Sequence, residues 1–259
     1  VTEAALFALS AALALGVVLW LVSLRLKDAS IADVAWGPLF VLIAATAYWL
    51  GDGSGPRRLL VLLLVTLWAL RLASHLARRN LGHGEDPRYR AMRERAGPAF
   101  RWLSLPSVFL LQPLLAWIIS APVIAVMQHA GPPSLDAADV AATLVFALGL
   151  GIETVADRQL TAFRRDPANR DRVLDRGLFR YSRHPNYFGE FVLWWGLGGF
   201  GLAAGSPLSL LGPALLSVLL LRVSGVTLLE STIVSRRPDY SKYKATTNAF
   251  FPGPPRRVS

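Results

Sequence analysis

Long apolar runs separated by short, densely basic segments constrain this chain more than any other feature. A bilayer core takes ~20 apolar residues per spanning helix. Seven stretches of about that length can be read: 2–24, 31–50, 58–78, 105–127, 137–157, 187–204 and 207–229. Composition agrees: 53% of the residues are hydrophobic and only 17% charged, where a soluble domain carries about a quarter charged. The expected fold is all-α, a polytopic membrane protein of seven transmembrane helices. Glu3 and Arg25 bracket a first run too long for a signal-peptide core, so it is read as a helix.

Arginine and lysine sort by loop. They crowd the segments after the third, fifth and seventh runs and the turn at Arg25 and Lys27, whereas the loops near 128–136 and 205–206 carry none. The positive-inside rule then puts the N-terminus outside and the C-terminus in the cytoplasm. Arg57 and Arg58 alone dissent. The net charge of +10 is therefore a sign of topology and of contact with membrane lipids rather than nucleic acid. No cysteine is present, and the four histidines form no metal-ligand pattern, so neither a metal site nor thiol chemistry is expected.

Ionisable side chains inside spans cost at least ~2.5–3.5 kcal/mol each on insertion scales, which makes each a functional candidate. In the third run, Trp68, Arg71 and His75 recur at steps of three and four and share one stripe. Arg78 and Arg79 continue it to the end, where snorkelling accounts for them equally well. In the fifth run, Glu153, Asp157 and Arg164 share a face within about 40°. They suit either an interhelical salt bridge or a site for ribose hydroxyls and phosphate. Asp33 and Trp36 stand three apart near the start of the second run, Asp33 as a cap or a buried acid. Gln112 is read as an interhelical hydrogen bond, and the loop Gly84–Tyr89 as solvated surface.

The most informative stretch is Gly177–Glu190. Tyr181, Arg183, His184 and Tyr187 form a basic, aromatic collar, and Asn186 and Glu190 enter the sixth span one turn apart, where a helix N-terminus presents free amides.

This stretch, with Asp239–Tyr243 and Phe250–Pro252, resembles the C-terminal region of the steroid 5-alpha-reductases. Their bacterial membrane branch is similar also at Asp33–Gly37 and Glu85–Tyr89. The resemblance implies a multi-pass enzyme of a bacterial inner membrane that uses NADPH to reduce a carbon–carbon double bond conjugated to a ketone. The lipophilic, 3-oxo-delta4 steroid-like substrate would enter from the bilayer. One membrane domain, 1–259, would hold the substrate among helices one to four (1–127) and the cofactor among helices five to seven and their loops (137–259). The resemblance carries cofactor-binding roles to Asp157, Arg164, Arg172, Asn186 and Glu190, and Glu153 stands where the steroid enzymes have Asn. The collar residues, Glu230 and Tyr240 complete the expected cofactor-binding set. The family's catalytic Tyr falls at Trp68 and its Glu near Trp36, which leaves Asp33 as the nearest acid. A protonated Asp33, supported by Trp68 or His75, is the expected catalytic donor to the developing oxyanion, with Trp36 and Arg71 lining the substrate site. The His184-Pro185-x-Tyr187-x-Gly189 core is also similar to membrane methyltransferases of the isoprenylcysteine carboxyl type. That resemblance implies S-adenosylmethionine as the alternative cofactor. The true substrate and the oligomeric state stay open.

Overall fold

The structure, a computed structural model, describes residues 2–80, 82, 84–223 and 240–256. Among them it is all-helical apart from one isolated bridge between Ser54 and Ala130. In chain order, α1 is Glu3–Leu26, α2 Ile31–Leu50, α3 Pro56–Asn80 and α4 Pro87–Ala96. Next come α5 Phe100–Ser104, α6 Leu111–Ile119, α7 Ala121–Gln128 and α8 Ala137–Arg165. Last are α9 Pro185–Ala203, α10 Leu211–Val218 and α11 Tyr240–Thr246.

Five of the described helical stretches are long and apolar enough to cross a membrane: α1, α2, α3, the run Pro87–Ile119 and α8. The sixth expected span is α9, 19 residues long, with Asn186, Glu190 and several glycines among its residues. The seventh is the shorter stretch Pro207–Val223, and 224–229 lie outside the described residues. The fourth, expected over 105–127, is not one regular helix. Pro106 falls in a π-helical turn, Leu105–Leu110, between α5 and α6, and Ser120 separates α6 from α7. Proline lacks the amide that would continue the ladder, and wide turns absorb the gap.

Two compact units can be described, one of Val1–Asp139 with Phe200–Gly212 and one of Val140–Gly199 with Pro213–Ser259. In the first, α2 lies closely against α3. A Cβ on Gly37 would stand 2.7 Å from the Ala69 carbonyl oxygen, so only glycine permits this approach. Beside it Trp36, Phe40 and Trp68 stack edge to face, at 5.1 and 5.2 Å between centroids. A second cluster gathers Trp20, Tyr89, Phe100 and Phe109.

The dissenting arginines have structural partners in this unit. Arg57, only 3% exposed, grips Asp139 with Nε at 2.5 Å and Nη2 at 3.1 Å, and also meets Asp136 and the Ala203 carbonyl. Arg58 donates to the carbonyls of Tyr48, Gly51 and Gly53 and lies over the Tyr48 ring. Both cations are held by specific acceptors, which explains why they stand in an otherwise arginine-poor end.

In the second unit α8 and α9 run antiparallel through a glycine ladder. Cβ atoms built on Gly149, Gly189 and Gly196 would come within 2.3, 2.5 and 2.7 Å of the amide nitrogens of Leu193, Glu153 and Phe146. Gly199 rests on Ala142. Small residues on facing helices let backbones touch, the usual source of tight packing where lipid supplies no hydrophobic drive.

Candidate functional site

The glycine ladder fixes the level of the acids on α8. Gly189 meets the backbone at Glu153, so one turn further along, Asp157 faces Asn186, whose Nδ2 donates to Asp157 Oδ1 at 3.2 Å. Glu153 and Asp157 are 3% and 5% exposed, and Glu190 is half-buried on the same helix as Asn186. Arg164 and Arg172 are exposed, with Arg164 in the last turn of α8.

The collar is built by its own turns and by the tail that follows. Gly177 takes a φ of +62°, open to glycine, and lies against the Gln159 side chain, which accepts from the Leu178 amide at 3.0 Å. Arg183 ties the collar to the tail. Its guanidinium donates to the Lys244 and Thr247 carbonyls at the end of α11, and its amide donates to Asn248. Ser182 Oγ donates to the Phe250 carbonyl, Tyr243 donates to that of Phe179, and the Gly253 amide donates to that of Tyr181. Phe250 and Phe251 sit edge-on to Phe188 and Phe191. Residues 240–256 are thus a strap fastened across the collar. His184 is buried and stacks on Tyr187, with 5.7 Å between centroids and 9° between planes. Tyr240 is buried against Tyr243, Tyr181 is 45% exposed, and Glu230 lies outside the described residues.

A cavity of about 370 Å³ opens near the same end of α8, among Gln159, Phe163, Asp166, Asn169 and Arg176. Two residues turn a helix through about 200°, so Gln159 of the cavity wall faces away from Asp157 and the cavity is separate from the acid stripe.

In the first unit the substrate-side candidates fall in two groups. Asp33 is at the centre of a network that sequence reading missed. Arg88 Nη2 donates to its Oδ2 at 2.6 Å, the Tyr89 hydroxyl donates to its Oδ1 at 2.6 Å, and Gln112 Nε2 donates to the Tyr89 oxygen at 3.2 Å. Both Asp33 oxygens act as acceptors. That is the arrangement of a carboxylate, not of the protonated donor expected from sequence. The loop read as solvated surface is ordered instead. Glu85 accepts from the Ala29 amide and from Arg93, and the Asp86 amide donates to Ser30 Oγ. Asp86 also caps α4 through the Arg88 amide at 2.9 Å. Burial alone raises the Asp86 carboxyl, but hydrogen bonds from Arg88 and nearby guanidinium charge outweigh it, and the group titrates below its ordinary value. The interhelical role expected of Gln112 is met through Tyr89.

Trp68, fully enclosed, is a core ring packed on Phe40, and Trp36 is partly buried beside Phe40. Arg71 and His75 are half-buried on α3. With Gly37 opposite Ala69 in this antiparallel pair, Asp33 comes level with Ala73, whereas Arg71 and His75, two residues to either side, turn about 160° away round α3.

Chemically, the second unit offers two buried carboxylates, a neighbouring amide and exposed guanidinium groups. Such a set fits ribose hydroxyls, a carboxamide and phosphates.

Apolar helices with charged groups held inside them define an integral, multi-pass membrane protein. The chain belongs to the family described as protein of unknown function (DUF1295), which matches residues 19–247. It is similar to an uncharacterized protein of Schizosaccharomyces pombe, 28% identical over 267 residues that cover 92% of this chain and 76% of that one. No solved structure matches the chain.

Proposed function

We propose that this protein is an NADPH-dependent membrane reductase of the steroid 5-alpha-reductase type. It would act on a carbon–carbon double bond conjugated to a ketone in a lipophilic substrate that arrives from the bilayer. The observation that carries this reading is the pairing of Asp157 with Asn186 beside Glu153, at the end of a helix pair locked by glycine contacts. Seven spans, with the basic loops in the cytoplasm, belong to the same proposal.

In this reading Glu153, Asp157 and Glu190 accept from ribose hydroxyls, Asn186 meets the carboxamide, and Arg164 and Arg172 hold phosphate oxygens. Tyr181, His184, Tyr187 and Tyr240 form the aromatic surround, while Arg183 fastens the strap. The bound cofactor supplies a hydride. On the substrate side, negative charge grows on the carbonyl oxygen, and the chain must present a donor there. Tyr89 takes that role in place of a protonated Asp33. Its hydroxyl, which gives its one proton to Asp33 and accepts from Gln112, would turn that proton from Asp33 to the substrate oxygen. Trp36, Arg71 and His75 line the substrate site, and Trp68 supports them from the core.

The test is thermal unfolding of the detergent-solubilised protein with added nucleotide. NADPH should raise the midpoint, since a ligand that binds only the folded state stabilises it. Glu190→Gln should keep the ligand-free midpoint close to wild type, Asn186→Ala should lower it by the ~1 kcal/mol worth of its hydrogen bond to Asp157, and both should abolish the rise. Glu190 lies in the second turn of α9, beyond the first turn where an acid gains from the helix dipole, so little stability is lost with its charge. Arg164→Ala and Arg172→Ala should weaken the preference for NADPH over NADH. Stabilisation by S-adenosylmethionine in place of NADPH would overturn the assignment in favour of a methyltransferase.

A further inference from the structure

The first unit carries a second feature, independent of the reductase reading. An open cavity of about 490 Å³ lies between α4 and the Phe100–Leu110 stretch, lined by Met92, Phe100, Leu103 and Pro106, with Arg95 and Ser107 the polar members. The wall is almost wholly apolar and carries one cation.

Arg95 differs from its neighbours. On the same helix Arg88 is committed to Asp33 and Asp86, Arg93 to Glu85, and Arg90 to the Glu85 carbonyl. Among the described residues Arg95 makes no hydrogen bond or ion pair, and its side chain is exposed beside the cavity. The surrounding chain reads as a membrane boundary. α4 is short and basic, and the apolar part of the run Pro87–Ile119 begins just beyond it. Trp102 is 59% exposed there, with Arg101 over its ring at 5.3 Å, a pairing typical of the headgroup level. At such a level a cation on one rim and apolar walls beyond it match an amphiphile with an anionic head.

We propose that this cavity binds an anionic phospholipid of the surrounding bilayer, its phosphate on Arg95 and the start of an acyl chain against Phe100, Leu103 and Pro106. The committed arginines of α4 leave Arg95 as the residue that distinguishes an anionic from a neutral lipid. Ser107, on the first turns of the span, borders the acyl part.

The test uses the full chain in neutral detergent, with its thermal unfolding midpoint followed as dioleoylphosphatidylglycerol or dioleoylphosphatidylcholine is titrated in. The anionic lipid should raise the midpoint at lower concentration than the zwitterionic one. Arg95→Gln should weaken the apparent affinity for phosphatidylglycerol about fivefold, the worth of one basic residue at an anionic surface. It should leave the lipid-free midpoint and the phosphatidylcholine response unchanged. Arg90→Gln should retain the wild-type preference. Ser107→Trp, which fills the cavity, should diminish the response to both lipids. The proposal is overturned if phosphatidylcholine works as well as phosphatidylglycerol, if Arg95→Gln keeps the full preference, or if inorganic phosphate alone reproduces the effect. Nucleotide binding is unaffected in every case, so a failure here leaves the reductase reading where it was.

Discussion

Tyr89 joins three parts of the first unit through one oxygen, giving its proton to Asp33 on α2 and receiving one from Gln112 on α6. Tyr89→Phe leaves an acceptor and a donor short of partners, so thermal unfolding should show a loss of ~1–3 kcal/mol. If it also serves as the donor to substrate, turnover falls further than stability explains. Asp86 gives a pH-dependent case. Its folded carboxyl titrates below the ordinary value, so its stabilising effect is present above the unfolded pKa of ~3.9 and is lost as pH falls through the folded one. Asp86→Ala should therefore cost ~0.5–2 kcal/mol at neutral pH, the usual worth of an N-cap, and the gap from wild type should close in acid. Neither role could be read along the chain. Asp33 and Tyr89 are 56 positions apart, and a mixed-charge loop looks solvated until its partners are folded onto it. The shared face of Glu153 and Asp157 was legible because helical periodicity sets it, whereas the meeting of Asn186 with Asp157 across two helices was not.

At the scale of elements, the contact between α8 and α9 leaves no room for a methyl group. Gly189→Ala would drive a carbon into the Glu153 backbone, and the helices would have to separate. Overpacking of this kind costs ~1–3 kcal/mol or more. The expected result is a lower melting midpoint together with loss of nucleotide binding. Gly151→Ala, whose added carbon meets nothing within 4 Å, should be silent in both assays. Hydropathy exposes the apolar runs well, because a bilayer demands length and little else. It does not reveal the irregular passage at Leu105–Leu110 or the break at Ser120, which follow from the missing proline amide and from local packing. Nor does it find α4, a basic helix set by the Asp86 cap and Pro87.

For the molecule as a whole, the arginine distribution makes topology testable, and the lack of cysteine makes the test clean. Single cysteines at Ser134 and Ser241, both exposed, should behave oppositely toward an impermeant maleimide in intact cells. Ser134→Cys should label, whereas Ser241→Cys should label only after permeabilisation. The reverse pattern would invert the membrane orientation. Arg57 and Arg58 count little in this balance, since Asp139 and backbone carbonyls already hold them.

The strap over the collar also sets an order of events during synthesis. Its contacts reach from Tyr181 to Gly253 and from Phe188 to Phe251, so the collar leaves the ribosome well before the residues that fasten it. At about 5–20 residues per second that interval lasts on the order of ten seconds. Throughout it α8 and α9 can already be paired while the collar is open. A nascent chain stalled before Tyr240 would be inserted yet unable to close. Under the proposed function, nucleotide capture would then be among the last steps of the protein's maturation.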